Sequence, residues 1–406
     1  MLQVPSTKAQ PASTIVINLL LTAALATFLL WFTQYSPNRL KGTDFPDFYA
    51  AAKIVQAGRG HELYEAKVQD EFLARYAGRV GTYFIHPPVE TLLYLPLSSL
   101  PLYRAYQVWC AVNVLLLVLI ARLLAACVIT VWSWRILLPL LLLFPPVLLN
   151  LLQGQDAILL LMVFALAFVA IRNEWMFTAG CLLACALFKF HLAFAIAVPL
   201  LWSTGKKFLA GFASVGAVMF LASAAISGWK FLLAYPRFLA SLHGLPLAGI
   251  HDEQMANLRG LFGLLFPGMP RVAAILTVAS SLLVLWFTMR GMLVSRSGPH
   301  FRDLALANTV IAADLVSYHL SPHDLAILLL PMALVLNQVL GRSALPRTMR
   351  FLFSGILAGL LLPPLYLWLL SQHLYTYICI PILVLFGLIY REIWNSATAV
   401  VRAKAI

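Results

Sequence analysis

The sequence predicts an all-α polytopic membrane protein, and three observations support this class. Hydrophobic residues make up 62% of the 406 residues and charged residues only 11%, whereas a soluble domain has about 25% charged residues. Apolar segments close to the roughly 20 residues of a spanning helix recur along the whole chain. The basic residues lie between these segments, mostly at alternate turns, as the positive-inside rule requires. A soluble enzyme, a disordered chain and a secreted disulfide scaffold do not fit this composition.

The apolar segments predict about 12 transmembrane helices. The first is interpreted as a retained span, because it lacks the small-residue cleavage pattern of a signal peptide. Several others are short, so we expect them to be tilted, bent or buried by their neighbours. The whole chain, 1–406, is predicted to form one integral-membrane domain. The predicted spans are 14–34, 102–127, 136–151, 154–171, 175–188, 190–203, 206–226, 270–292, 303–319, 322–340, 350–371 and 375–393.

Residues 87–100, PPVETLLYLPLSSL, do not fit as a span. The segment is short, contains the acid Glu90, and is interrupted by Pro96 after two leading prolines. We therefore predict a re-entrant or interfacial helix at the membrane surface. Two amphipathic segments before it, 44–58 and about 62–77, are predicted as further helices of the same external loop.

The distribution of Lys and Arg predicts the orientation. If residue 1 lies in the cytoplasm, the basic residues gather in the cytoplasmic turns, and the opposite turns near 151–155, 319–323 and 371–375 contain none. This asymmetry follows the positive-inside rule. It places both termini in the cytoplasm and two long loops, 35–101 and 227–269, outside. The formal charge of +13 is thus explained by topology, and nucleic acid is not predicted as a partner.

Polar and ionisable residues from five parts of the chain collect at the predicted external face. Such groups are costly at a membrane and usually have a function, so the convergence predicts one shared site. A carboxylate, histidines and cations together suit transfer to a hydroxyl from a phosphate-linked donor, with the carboxylate as general base and the cations stabilising the departing phosphate. The residues are Asp44, Asp47 and His86; Gln153, Gln155 and Asp156; Lys189 and His191; His251, Asp252, Asn257 and Arg259; and His319, His323 and Asp324.

Each of these residues also has a purely structural interpretation, and the local sequence leaves both open. Helix caps, membrane-surface anchors and ordinary turn or helix-paired histidines account for them singly. A helix cap would explain Asp44 and Asp156. A membrane-surface anchor would explain Lys189 and Arg259. A histidine in a turn or a helical pair would explain His86, His319 and His323. Asp314 lies inside a predicted span and is as well explained by a paired structural carboxylate as by a site role.

At these residues the chain resembles glycosyltransferase family 87, a group of GT-C-type membrane enzymes also called domain of unknown function 2029. The resemblance extends over about residues 40–335. The first and last of the matching pieces are the most specific. The pieces are TDFPDFYAAAKIVQAGRGHELYE, YFIHPPVETLLYLPLSSLP, LLQGQDAILLL, ALFKFH, NLRGL and SYHLSPHDLAILLLP.

The resemblance implies roles for particular residues. It implies a catalytic acid in the first external loop, which matches Asp44, with Asp47 as the alternative. His319, His323 and Asp324 match the family's later His/Asp segment, and Gln155 matches the glutamine of its GQ motif. Lys189 matches a family lysine that proline usually follows, although Phe190 follows it here. His86, Lys189 and Arg259 are expected to bind the substrate.

The resemblance also implies the reaction. We expect inverting transfer of a hexose, mannose-like, from a polyprenyl-phosphate donor to a hydroxyl of a glycolipid or glycan acceptor. Neither a cofactor nor a metal is expected, since the chain has no DxD-type motif. The expected location is a bacterial-type inner membrane, with the active site on the extracytoplasmic face. The alternative is a polytopic transporter or a flippase for lipid-linked sugars, although no repeated half is visible in the sequence.

Overall fold

The computed structural model describes residues 37–129, 132–242, 252–294, 299–341 and 345–404, together with residues 19 and 22. The predicted first span, 14–34, apart from those two positions, and His251 lie outside the described residues. Every regular element in these ranges is helical. The all-α class is therefore confirmed for the part of the chain that the structure describes.

The helices follow one another closely. Short 3₁₀ segments lie at Gly60–Glu62, Pro88–Glu90, Pro96–Ser99, Cys185–Lys189, Asp252–Gln254, Asp324–Leu328 and Tyr375–Ile378. The α-helices are α1 (Pro37–Leu40), α2 (Phe45–Gln56), α3 (Ala66–Ala77), α4 (Thr91–Tyr94), α5 (Leu102–Cys127), α6 (Trp134–Leu143), α7 (Pro145–Gln153), α8 (Ala157–Arg172), α9 (Met176–Ala184), α10 (Phe190–Thr204), α11 (Lys206–Ser227), α12 (Phe231–Ser241), α13 (Leu258–Leu265), α14 (Pro270–Val294), α15 (Pro299–Val316), α16 (Leu329–Leu340), α17 (Arg347–Leu360), α18 (Pro363–Ser371) and α19 (Cys379–Lys404).

Among the described residues, five helical runs are long and apolar enough to cross a membrane, and two bent helix pairs bring the total to seven. The runs are Leu102–Cys127, Met176–Thr204, Lys206–Ser227, Pro270–Val294 and Tyr375–Asn395. These findings support a multi-pass membrane protein. The count of about 12 spans stays a prediction, because the apolar helices Ala157–Arg172 and Asp324–Leu340 are shorter than a full span.

Both bent pairs coincide with a segment that was predicted as one span. Helices α6 and α7 meet at 69° and helices α17 and α18 at 55°. Each second helix begins with two prolines, Pro145-Pro146 and Pro363-Pro364. Proline is favoured in the first turn of a helix but cannot continue the preceding one. The prolines therefore explain why 136–151 and 350–371 are broken.

The run Met176–Thr204 reverses direction at its 3₁₀ segment. A Cβ on Gly180 would lie 2.1 Å from the Phe208 carbonyl oxygen, and one on Gly211 would lie 2.0 Å from that of Phe177. In the 3₁₀ segment after α9, Leu187 Cδ1 would lie 3.3 Å from a Cβ on Gly216. The contacts therefore advance in the same direction along both segments, and α9 and α11 run parallel. Since α11 begins two residues after α10 ends, α10 must return along the bundle. The backbone of Lys189 (φ −112°, ψ 64°) leaves the helical region at this reversal.

Residues 87–100 form short helical pieces, as expected of a segment that does not span. Its location at the membrane surface stays a prediction, and the segment has one buried and one exposed face, with Leu92 43% exposed. Glu90, Thr91 and Tyr94 are at most 1% exposed, and the Val89 amide donates to Ser223 Oγ in α11 at 3.2 Å. The segment packs between α2 and the end of α11, because its apolar side chains complete the core of the first loop.

Candidate functional site

A polar cavity of about 630 Å³ lies between the first loop and the neighbouring ends of the transmembrane helices. Eight of the nine residues with a predicted catalytic or binding role line it, and Arg259 does not. The tertiary fold thus brings together residues that are separated by up to 280 positions, from Asp44 to Asp324. The lining consists of Asp44, Asp47, Phe48, Thr82, Tyr83, Phe84, Ile85, His86, Gln155, Lys189, His191, His319, Ser321, His323 and Asp324.

Asp44 directs its carboxylate into this cavity rather than capping a helix. It occupies the N-cap position of α2, yet its side chain makes no capping hydrogen bond. Instead, Oδ2 accepts a hydrogen bond from Gln155 Nε2 at 2.7 Å. Burial raises the pKa of Asp44 above its ordinary value, and the bond from Gln155 offsets part of that rise. The structure describes no hydrogen bond to the second oxygen, Oδ1, so that oxygen is available to a substrate.

The turn after α7 presents Gln155 to Asp44. Gly154 ends α7 in the left-handed region, with φ 69°, and a Cβ at this position would lie 2.6 Å from Phe45 Cβ. Only glycine satisfies both the backbone conformation and the close contact. The Asp44 amide in turn donates to Gln153 Oε1 at 3.1 Å. The QGQ sequence therefore docks the start of α2 onto the helical bundle.

Asp47 lies in the same cavity wall, and its carboxylate already accepts hydrogen bonds from two protein side chains. Its Oδ1 accepts hydrogen bonds from Arg79 Nη2 at 2.6 Å and from Thr82 Oγ1 at 2.8 Å. Charge-assisted bonds of this kind are strong. Asp47 thus anchors the segment after α3 to α2, and its charge is paired with that of Arg79, whereas Asp44 makes no ion pair among the described residues.

Lys189 forms the centre of a buried ion-pair cluster. Its Nζ lies 2.5 Å from Asp324 Oδ1 and 3.1 Å from Asp156 Oδ1. Asp324 also accepts a hydrogen bond from the Ser321 amide, at 2.9 Å. Asp156 does not cap α8 with its side chain, since Asn150 Oδ1 accepts the bond from the Ala157 amide. The cluster therefore joins the reversal at Lys189 to the loops before α8 and α16.

The predicted histidines lie at the cavity wall as neutral rings. Burial lowers the pKa of His86 to about 4 and that of His319 to about 4. His319 Nε2 lies 3.2 Å from Ser321 Oγ, and His323 Nε2 lies 3.7 Å from Asp324 Oδ1. A neutral imidazole can donate one N–H to an anion, so this wall offers hydrogen-bond donors without a full charge.

An apolar groove borders the polar cavity. It has a volume of about 970 Å³ and is lined mainly by aromatic and aliphatic side chains of α10 and α12. Phe190 is 36% exposed at its edge. Four residues line both the groove and the polar cavity: Ile85, His86, His191 and His319. The two spaces are therefore adjacent, and three histidines lie in the wall that they share.

Arg259 is not brought into the polar cavity. It lines a separate space of about 1110 Å³ between α13 and the start of α14. Its guanidinium lies 4.4 Å from the centre of the Tyr318 ring, and Nη1 donates to the Tyr318 carbonyl oxygen at 3.0 Å. Tyr318 also borders the apolar groove. Arg259 is thus separated from the groove by a single tyrosine side chain.

One buried residue of the site, Glu90, was not among the residues predicted for it, whereas His191 was named at this face without an assigned role. Glu90 Oε2 lies 2.9 Å from His86 Nδ1, and the side chain is completely buried. His191 lines both the cavity and the groove, and its Nε2 has no hydrogen-bond partner in the described residues. His86 and Glu90 are four residues apart in sequence, a separation at which side chains meet on a helix. This spacing is the sequence feature from which Glu90 could have been predicted.

Comparison with known proteins identifies one family. Glycosyltransferase family 87 matches residues 84–322, a range that contains the His86 segment, the QGQD turn, Lys189 and His319, whereas His323 and Asp324 directly follow it. Asp44 and Asp47 precede the matched range. No curated protein and no solved structure matches the chain. Because the match covers more than half of the sequence, this chain belongs to glycosyltransferase family 87 and is a multi-pass membrane glycosyltransferase.

Proposed function

We propose that the protein transfers a hexose, mannose-like, from a polyprenyl-phosphate donor to a hydroxyl of a glycolipid or glycan acceptor, with inversion at the anomeric carbon. The observation that carries this proposal is that a carboxylate-containing polar cavity and an apolar groove lie next to each other and share four lining residues. A substrate with its sugar and phosphate in the polar cavity and its hydrocarbon tail in the apolar groove would fit the two spaces. A GT-C-type fold is part of the proposal.

Asp44 is the proposed general base. Its free oxygen and raised pKa suit removal of a proton from an acceptor hydroxyl. The deprotonated hydroxyl attacks the anomeric carbon while the bond from that carbon to the phosphate oxygen breaks. Attack and departure on opposite faces invert the configuration. Asp47, held by Arg79 and Thr82, is the alternative base and is less suited to the role.

The histidines in the shared wall are proposed to receive the leaving phosphate. His86 and His319 line both spaces, and their N–H groups would stabilise the negative charge that develops on the departing oxygen. His323, Asp324 and Lys189 lie further inside the cavity and would orient the sugar. Arg259 lies behind Tyr318, and its charge acts on His319. It would add positive potential at the phosphate.

The lipid tail of the donor would occupy the apolar groove. Phe188, Phe190, Tyr235 and Leu239 line that groove, so the tail would move from one apolar environment, the bilayer, to another. A tail in the groove remains in contact with the bilayer, so the donor enters sideways without crossing water. The positive-inside pattern supports an extracytoplasmic position for this end of the bundle in a bacterial-type inner membrane, with both termini in the cytoplasm.

Sugar transfer by the purified protein in proteoliposomes tests the proposal. We expect transfer from a polyprenyl-phosphate hexose to a glycolipid acceptor without an added divalent metal, and with a chelator present. Robust transfer from a nucleotide sugar in the absence of any lipid carrier would contradict the donor assignment. Movement of a lipid-linked sugar between leaflets without glycoside formation would instead support a flippase.

A further inference from the structure

The two oxygens of the Asp44 carboxylate have different surroundings. Oδ2 accepts a hydrogen bond from Gln155 Nε2 at 2.7 Å. Oδ1 accepts none from the described residues, and it is not one of their buried polar atoms that lack a partner. Oδ1 is therefore accessible from the cavity that Asp44 lines. The protein holds one oxygen and leaves the other facing the space for a substrate.

The amide of Gln155 is used differently from that of a structural glutamine. Buried polar groups are normally paired, and Gln69 in the first loop follows this rule. Its Nε2 donates to the Leu63 carbonyl at 2.8 Å, and its Oε1 accepts from the Phe84 amide at 2.7 Å. Gln155 Oε1 is buried and has no hydrogen-bond partner among the described residues. Because such an atom destabilises the folded state, the contact with Asp44 explains this amide better than stability does.

The backbone of Gln155 is fixed from two sides. Its N–H donates to the Asn150 carbonyl at 2.9 Å, and its own carbonyl accepts from Trp109 Nε1 of α5 at 3.2 Å. Asn150 in turn donates its side-chain amide to Asn113 Oδ1, also in α5, at 3.4 Å. A side chain on a backbone held in this way can keep its partner in one orientation.

We propose that Gln155 is a positioning residue for the general base: its amide binds Oδ2 of Asp44, so that Oδ1 points to the acceptor hydroxyl. The inference rests on the proposed function, in which Asp44 is the base. Gln155 does not touch the reacting atoms in this role. An ionised carboxylate only accepts hydrogen bonds, so Nε2 must face Asp44 whenever the base is active.

The same hydrogen bond favours the ionised, active form of Asp44. Burial raises the pKa of Asp44, and the bond from Gln155 is the largest of the effects that lower it. Loss of this bond raises the pKa further. Since the base acts only when ionised, activity is then lost at a higher pH on acidification. The other titratable groups that act on Asp44, or on which it acts, are Arg79, His86, Lys189, Asp47 and Tyr94.

The experiment is the pH profile of kcat/KM for transfer from a polyprenyl-phosphate hexose, in wild type and Gln155→Met. Methionine has nearly the length of glutamine but no N–H donor. We expect the acid limb of the profile to move up by about one pH unit and the plateau to fall roughly tenfold. An acid limb that stays at the wild-type pH in folded Gln155→Met would overturn the inference.

Gln153→Met is the matched control in the same turn. Gln153 Oε1 accepts from the backbone amide of Asp44 at 3.1 Å, so this substitution removes a contact with the same residue but not with its carboxylate. The acid limb should stay at the wild-type pH. An equal movement of the limb in both variants would show that the Gln155 amide is not its cause.

A double-mutant cycle separates positioning of the base from direct binding of a substrate. In an Asp44→Asn background, Gln155→Met should cause no further loss of kcat/KM, because no base remains to be oriented. An equal loss in both backgrounds would show that Gln155 acts independently of Asp44 and would contradict the proposal.

Modification of Asp44 by a carbodiimide, which reacts with protonated carboxyl groups, gives a readout without any substrate. Its pH midpoint, followed by mass spectrometry, should be higher in Gln155→Met than in wild type and unchanged in Gln153→Met. If this shift is present but wild type transfers nothing from the lipid donor, the proposed function alone fails. Normal wild-type transfer without the shift refutes the inference alone.

Discussion

Replacing Asp44 by Asn removes the proposed base while preserving its surroundings. The carboxylate accepts one bond from Gln155 Nε2 at 2.7 Å, and the Asn side-chain oxygen can accept the same bond. The side chain does not cap α2, so no cap is lost. Burial already favours the neutral form of Asp44, and an uncharged amide therefore should not destabilise the folded protein.

The expected loss of activity is large. General-base catalysis contributes about 10²- to 10⁴-fold, which corresponds to about 2.7–5.4 kcal/mol of transition-state stabilisation. We expect kcat for transfer from the polyprenyl-phosphate donor to fall by at least about 10²-fold. The KM for the donor should change little, since Asp44 is proposed to contact the acceptor hydroxyl. Thermal unfolding in detergent should match wild type.

Asp47→Asn is the matched control, because it makes the same chemical change in the same helix. Its carboxylate pairs with Arg79 at 2.6 Å and with Thr82 at 2.8 Å, and losing bonds to a charged partner costs about 1.5–3 kcal/mol. We expect a lower melting temperature and a loss of kcat of less than about tenfold. Full activity in folded Asp44→Asn, combined with an inactive but stable Asp47→Asn, would refute the assignment and move the base to Asp47.

Acidification should inactivate the wild-type enzyme through the same group. The base acts only when it is ionised, and burial raises the pKa of Asp44 above the ordinary value of about 3.9. Activity should therefore decline on acidification at a higher pH than an exposed carboxylate would cause. A rate that stays constant down to pH values near the ordinary one, in a protein that remains folded, would contradict a buried base.

Three further predictions concern topology and stability. The side chains of Val80 and Trp175 are both exposed. In a cysteine-free background, Val80→Cys should react with an impermeant thiol reagent on intact cells, and Trp175→Cys should react only after lysis. Labelling of Trp175→Cys on intact cells would contradict the predicted orientation. Gly180→Ala should lower the melting temperature, since its Cβ would lie 2.1 Å from the neighbouring backbone, at a cost of about 1–3 kcal/mol. Gly355→Ala, which meets nothing within 4 Å, should not. Lys189→Met should destabilise by about 3–5 kcal/mol in thermal unfolding, and wild-type stability would contradict its pairing with two carboxylates.

The sequence by itself determined the class of the protein. Membrane-length apolar segments follow from composition and period, which are local properties, so the helices at 102–127, 206–226 and 270–292 lie where they were predicted. The family could be inferred because its motifs are contiguous pieces of chain. Most residues of the candidate site could also be named, since ionisable groups beside apolar spans are conspicuous in any membrane sequence.

Only the tertiary structure decided how those residues pair. Gln155 binds Asp44 across 111 positions, and Lys189 binds Asp324 across 135, and no local pattern encodes such distances. The same packing pairs Asp47 with Arg79, directs Gln155 to Asp44, buries Glu90 and Tyr94, and separates Arg259 from the cavity. These outcomes depend on which helix faces meet, and in a chain this apolar nearly every face is suitable for burial. The few close contacts, such as Gly180 against Phe208 and Gly154 against Phe45, select one arrangement.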